Sequence, residues 1–311
     1  MKKNIFILAA LATMTLYSCS SDDGADVIVD MTDKPININV GVASTSRVGY
    51  DTDADLQAST FGLFLNAENK AQGKTGSGRY GATNLEIAYS AGKWAAANGT
   101  QLLWKSADSK VYYIAYMPYS SSAVLTDSTL KHDFAVSVQK DQRVISNVVA
   151  SDFLYAKLDS TEASTVGIDV TFKHALSKLY VGLKLGSEVA TVEIDSVKVK
   201  ACTGNSSTFD IETGLLNAAD LAAQTDSVML YKVGELEFEG VLIPQTYAKT
   251  LVVEVYANNG QTYVYESDED LIFKQGWSYR LPLKVSRDIV RDGEIKATAW
   301  TVKNGGTLKT E

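Results

Sequence analysis

Short runs in which every second residue is apolar recur along this chain, and they leave few folds open to it. Ile36, Ile38, Val40 and Val42 alternate with Asn37, Asn39 and Gly41. Side chains of a strand point to opposite faces in turn, so this segment sets four apolar groups on one face. Phe61, Leu63 and Leu65 repeat the pattern. Val111 to Tyr116 is almost continuously apolar, as a central strand covered on both faces would be, and Pro118 ends it. Ile168, Val170 and Phe172 alternate in one parity, and Leu179, Val181, Leu183 and Leu185 in the other. The switch predicts a bulge or break between Ala175 and Lys178.

Further strands are expected at 153–156, 192–199, 235–243, 251–256, 262–265 and 279–285, with a hairpin turn at Asn258-Asn259-Gly260. Residues 66–82 are polar and glycine-rich, and 120–129 are rich in serine; both read as loops. The polar stretch Leu158 to Thr165 is the best candidate for a domain boundary. No amphipathic helical pattern stands out, and Leu215 to Ala223 reads as either a helical turn or a loop. Many short strands separated by turns indicate an all-β chain built as β-sandwiches. Sixteen tyrosines and only four prolines suit that class.

The amino end reads as an export segment. Lys2 and Lys3 precede an apolar run from Ile5 to Leu16, shorter than the about 20 residues a bilayer span needs. Leu16-Tyr17-Ser18-Cys19 resembles the bacterial lipobox, in which the Cys becomes the acylated first residue. Residues 1–18 are then a signal peptide, 19–34 a linker, and Cys19 the lipid attachment point. Ser20-Ser21-Asp22-Asp23 resembles the export signal of surface lipoproteins of Bacteroidota; a plain solvated linker would look the same. With Cys19 acylated, Cys202 is left alone, so no intrachain disulfide supports the fold. The net charge of −8 becomes −10 without Lys2 and Lys3, which argues against nucleic-acid binding.

Chemistry-bearing constellations are sparse. His174 shares the parity of Phe172 and is expected in the core, bonded to backbone. His132 lies between Lys131 and Asp133 and reads as surface loop. Two histidines and one remaining cysteine give no zinc spacing. Gly76-Ser77-Gly78 does not follow a strand and open a helix. Glu266, Asp268, Glu269 and Asp270 read as a solvated turn with a minor possibility of calcium, and Asp51, Asp53 and Asp55 as a polar turn lacking the Gly and Glu of an EF-hand. No metal, cofactor or catalytic residue is expected.

Several segments resemble the fimbrillins, the subunits of Bacteroidales type V pili. Leu103-Trp104 followed by Val111-Tyr112-Tyr113-Ile114-Ala115-Tyr116-Met117-Pro118-Tyr119 is similar to the family's Trp and aromatic-Ala-Tyr-x-Pro-Tyr stretch. Asp152 to Ala156 resembles its Asp-x-Leu-x-Ala strand, and Phe172 to Leu179 its Phe-x-His-Ala-Leu opening of a second domain. Ile243-Pro244-Gln245-Thr246 and Gly276-Trp277-Ser278-Tyr279 fit later strands. The resemblance implies two transthyretin-like β-sandwich domains in tandem, here 35–160 and 161–311. It also implies a lipoprotein precursor at the outer membrane, cleavage after an Arg that removes the first strand, and filling of the vacant groove by a neighbouring subunit.

This sequence has the matching parts. Ile36, Ile38, Val40 and Val42 lie on the strand to be released, and 35–47 is the segment lost. Arg47 and Val48 form the candidate processing bond in a small polar stretch. An emptied apolar edge is a template for strand addition. Ile295, Ala297 and Ala299 on one face, with Trp300 and Val302 on the other, make 295–302 either a donor strand or the last strand of the second domain. A donor would be a shaft subunit, a non-donor a tip or accessory subunit, and an uncut lipoprotein an anchor. Expected partners are other fimbrillin subunits, outer-membrane lipid, and a host or bacterial surface ligand; the location is the outer surface, then the fimbrium. The alternative is a surface-anchored glycan-binding lipoprotein using Tyr80, Trp94 or Tyr119. A glycan-degrading enzyme with two carboxylates is the third reading.

Overall fold

The computed structural model describes residues 29–42, 50, 52–67, 82–106, 110–123, 133–202, 205–211, 213–217 and 226–300. In chain order the strands are β1 (Ile38–Val42), β2 (Thr60–Ala67), β3 (Ala82–Ser90), β4 (Lys93–Ala96), β5 (Lys110–Met117), β6 (Asp133–Ser137), β7 (Leu154–Glu162) and β8 (Ile168–His174). They continue as β9 (Ser177–Leu185), β10 (Ile194–Cys202), β11 (Ser206–Asp210), β12 (Leu215–Leu216), β13 (Asp226–Met229), β14 (Tyr231–Lys232) and β15 (Glu237–Leu242). The remainder are β16 (Thr246–Ala248), β17 (Val252–Ala257), β18 (Thr262–Glu266), β19 (Asp270–Ile272), β20 (Trp277–Val285), β21 (Ile289–Arg291) and β22 (Lys296–Ala299). Among the described residues two short α-helices join them, α1 (Asp53–Gln57) and α2 (Ile145–Ser151), with a 3-10 turn at Ser187–Val189. The chain is all-β.

A seven-stranded sheet runs in the order β1-β8-β7-β5-β2-β3-β4. Its central strand β5 is buried at every position after Lys110. Val111, Tyr113, Ala115 and Met117 face one core with Phe61, Leu63 and Leu65 of β2. Tyr112, Ile114 and Tyr116 face a second core, together with Phe64 from β2. The continuous apolarity of 111–116 therefore reflects two different cores on the two faces of one strand. The second core extends through sheets β14-β15-β9-β20-β21 and β13-β10-β17-β18. Strand β6 pairs with β11, Phe134 opposite Phe209, and ties the earlier part of the chain to the later part.

The parity switch has a simple form. Ile168, Val170, Phe172 and His174 are buried on β8 in the first sheet. The chain bends at Ala175–Leu176 and re-enters as β9 of another sheet, with Leu179, Val181 and Leu183 buried. The polar stretch 158–165 behaves differently from expectation. β7 continues through it to Glu162, and β8 lies in the same sheet. Polar residues are accommodated there because Thr161 and Glu162 pair with Val111 and Lys110 at the sheet's end, where Glu162 is exposed. The turn at Asn258-Asn259-Gly260 joins antiparallel β17 and β18, with Gly260 at φ +81° as such a turn requires.

Asp53 and Asp55, expected in a polar turn, begin α1. The Thr52 hydroxyl accepts from the Asp55 N–H, and the Asp55 carboxylate accepts from the Thr52 N–H, a capping box. Residues 215–216 form a strand rather than a helical turn, while 218–223 lie outside the described residues. So do 68–81, 124–132 and the export segment. Among the described residues no helix is long and apolar enough to cross a membrane.

Candidate functional site

The amino-terminal strand enters through two successive pairings. Asp33 N–H donates to the Trp104 carbonyl, Trp104 N–H to the Lys34 carbonyl, and Ile36 N–H to the Leu102 carbonyl, at 2.8–3.0 Å. Beyond this crossing, β1 turns to β8 and pairs with it in parallel, from Ile38 opposite Ile168 to Val42 opposite Phe172. Ile36 and Ile38 are buried on the first core, and Val40 and Val42 are half-buried against it. The intervening side chains serve the backbone of the 165–169 turn. Asn37 Nδ2 donates to the Thr165 carbonyl at 3.3 Å; Asn39 Nδ2 donates to the Val166 carbonyl and to Asp169 Oδ1, the latter at 2.8 Å. Gly167, at φ +95°, lets β1 approach this closely. A Cβ there would stand 2.2 Å from the Asn37 carbonyl oxygen.

Among the described residues β1 pairs with β8 alone. Its other edge faces β4, the opposite edge of the same sheet, across a cleft of about 490 Å³ floored by Trp94, Tyr89 and Leu102. Backbone groups on such edges await a partner. Cys19, Arg47 and Val48 lie outside the described residues. The segment holding Arg47 is bounded by Val42 at the end of β1 and by Tyr50, which is buried. The Tyr50 N–H donates to Asp152 Oδ2 at 3.2 Å, and its hydroxyl lies 3.0 Å from Ser59 Oγ.

At the carboxyl end, β22 lies antiparallel on β20, from Lys296 opposite Arg280 to Ala299 opposite Trp277. All four of its residues are exposed. Ala297 and Ala299 therefore cover no core of their own chain, whereas Ile295 is half-buried against the second core. Trp300 is 2 % exposed. Its N–H donates to the Gly276 carbonyl at 2.7 Å, and its ring stacks on His174 with centroids 3.7 Å apart and 7° between planes. Val302 is outside the described residues. A second cleft, about 440 Å³, separates β22 from β19, with Phe273 and Tyr279 in its lining.

Polar groups buried between the two ends were only partly foreseen. His174 is in the core, but its Nδ1 lies 3.0 Å from Asp152 Oδ1, a carboxylate where backbone was expected. Asp152 follows α2 directly and is fully buried, with both oxygens engaged. Lys178 and Glu239 form a fully buried ion pair at 3.7 Å, with the Trp300 ring 5.4 Å from the ammonium. Sequence patterning missed it, because Lys178 has the outward parity of β9 and is enclosed only where the chain crosses between sheets.

Other candidates are dispersed. Trp94 is half-buried, 5.4 Å from both Phe61 and Tyr89, and Tyr119 is half-buried; Tyr80 and His132 lie outside the described residues. Glu269 of the acidic turn is bonded to Arg291. Among the described residues no group of three or more His, Cys, Asp or Glu is placed to hold a metal ion.

A family model described as fimbrillin-like matches residues 46–300. A curated relative, named as a candidate fimbrium subunit, Fim1C, of Bacteroides uniformis, is 26% identical over 317 residues, covering 98% of each chain. Two crystal structures of candidate cell adhesion proteins share the fold at 17% identity. That from Bacteroides ovatus aligns over 88% of this chain and 100% of its own, with a TM-score of 0.63. That from Bacteroides uniformis aligns over 86% and 98%, with a TM-score of 0.60.

Proposed function

The chain belongs to the fimbrillin-like family, a family of structural subunits rather than enzymes, and from that premise we propose that it is a pilus subunit assembled by strand exchange. It is exported as a lipoprotein acylated at Cys19, reaches the outer membrane, and carries two transthyretin-like β-sandwich domains. Cleavage between Arg47 and Val48 separates it from the lipid and frees β1. The groove beside β8 then takes a strand from a neighbouring subunit, and the assembled fimbrium supports adhesion.

One observation carries this reading. β1 is an edge strand; its Ile38, with Ile36 just before it, covers the first core, and the processing segment starts directly after it. Burying an Ile side chain stabilises by roughly 1.5–3 kcal/mol, so its loss exposes an apolar seat with unpaired backbone alongside. Trp94, turned against Phe61 and Tyr89, is poorly presented for stacking on a glycan.

The test is maturation of the full precursor in cells that assemble pili. Surface material should begin at Val48, and Arg47→Ala should leave lipidated monomer. Multimer ladders from uncut Arg47→Ala protein would overturn the reading. Ala297→Asp with Ala299→Asp separates shaft from tip. Both positions are exposed in the monomer, so its fold should persist, while insertion of 295–302 into an apolar groove should fail. Unchanged multimers would place the protein at the tip or as an accessory subunit.

A further inference from the structure

β22 is held by a short backbone ladder, by the half-buried Ile295 before it and by the indole of Trp300 after it. Its four residues are exposed; of the residues flanking it, Ile295 is half-buried and Trp300 is fully inserted. Among the described residues no acceptor meets the buried Trp300 Nε1. A buried donor left without an acceptor is unfavourable, so stacking on His174 and exclusion from water keep the ring in place.

His174 is itself held. It ends β8, and its Nδ1 lies 3.0 Å from Asp152 Oδ1. The other Asp152 oxygen accepts the Tyr50 N–H. A buried carboxylate needs both partners, and the bond to Nδ1 fixes the plane on which the indole lies. β8 also carries β1, whose last pair, Val42 opposite Phe172, is two residues from His174. One strand therefore bears the amino-terminal strand along its edge and the carboxyl-terminal indole at its end.

We propose that Tyr50, Asp152, His174 and Trp300 form a latch that couples the two terminal strands: β1 in place keeps β22 docked, and loss of β1 loosens it. With β1 gone, β8 becomes an edge, and Tyr50 is no longer continuous with a paired strand. The Asp152 bond to His174 weakens, and the ring under Trp300 loses one of the contacts that set its plane. Coupling of this kind is reciprocal, so releasing β22 loosens β1. Its use in assembly rests on the pilus reading: a subunit offers its last strand only after its first has departed.

The test is native-state hydrogen exchange on the full chain, read over 38–42 and 296–300. Gly167→Ala loosens β1 from a position remote in contact from Trp300, because its Cβ meets the Asn37 carbonyl; Ile38→Ala is the second such variant. His174→Phe keeps a ring under the indole and removes the bond to Asp152. Asp152→Asn, which can accept from only one of its two donors, replaces it if the Phe variant does not fold. Loosening β1 should speed exchange at 296–300 at least threefold in the wild-type background and leave it unchanged in the His174→Phe background. Faster exchange at 38–42 with none at 296–300 overturns the latch. An equal response in both backgrounds also overturns it, since coupling would then bypass His174. Multimers are not read in this test, so its failure leaves the pilus reading standing, and failure of Arg47→Ala leaves the latch standing.

Discussion

Replacing Ile38 by Ala tests whether β1 opens on its own. Ile38 is 8% exposed, so nearly all of its side chain leaves water on folding. Ile→Ala in a core costs about 2–5 kcal/mol, less where the surroundings can collapse. Ile38 borders the open cleft beside β4, which puts the loss near the lower end, about 2–3 kcal/mol. At 1.4 kcal/mol per tenfold, local opening of β1 should become about 30- to 150-fold easier. Asn39 is the control on the same strand. Its two bonds to Val166 and Asp169 are exposed, so Asn39→Ala should cost about 0.5–1 kcal/mol, or roughly two- to fivefold. Hydrogen exchange reads both, with peptide 38–42 as reporter and peptide 110–117 of β5 as internal reference. If β1 is a separate cooperative unit, exchange rises at 38–42 and not at 110–117. Equal acceleration of both peptides would refute the reasoning, because β1 would then open only with the core beneath it.

Burial pushes the hydroxyls of Tyr50, Tyr113 and Tyr116 up to about 12. Since the folded values lie above the unfolded 10.0, their stabilisation is intact below about pH 10 and is lost as pH rises toward 12; ultraviolet titration should show a late-ionising class of tyrosines, and ionisation of all of them near 10 in folded protein would contradict this. Lys178→Met should destabilise by about 3–5 kcal/mol by removing the buried cation that faces Glu239, and adding Glu239→Leu should recover most of it; a double variant less stable than the single in denaturant melts would contradict this. Gln142 is fully buried, with Oε1 accepting the Val241 N–H at 2.8 Å and Nε2 donating to the Val241 carbonyl at 2.7 Å. Gln142→Ala should therefore cost about 2–4 kcal/mol, seen as a lowered melting midpoint, and a loss under about 0.5 kcal/mol would mean that other groups replace it.

Period-two patterning recovered the strands that have one wet face or two distinct cores, such as β2, β5, β8 and β17. It missed β3, β4 and β11, whose half-buried residues carry little alternation. It also missed α1 and α2, five and seven residues long, which are too short for a helical period to register. The parity change at 175–178 was legible because a bend between sheets reverses which side chains face inward. The polar run at 158–165 is occupied by β7 as far as Glu162, because polarity marks exposure and a strand's end is exposed as readily as a linker. At the candidate site, the apolar face of β1 was visible in the sequence. The partners of His174 and Lys178 were not, since Asp152, Glu239 and Trp300 reach them only through tertiary pairing.

Strand β5 lends each of its faces to a different interior, while β6 and β11 pair with each other over the second of the two. A pull that reaches β5 is therefore felt in both interiors at once, because one ribbon is the wall of each.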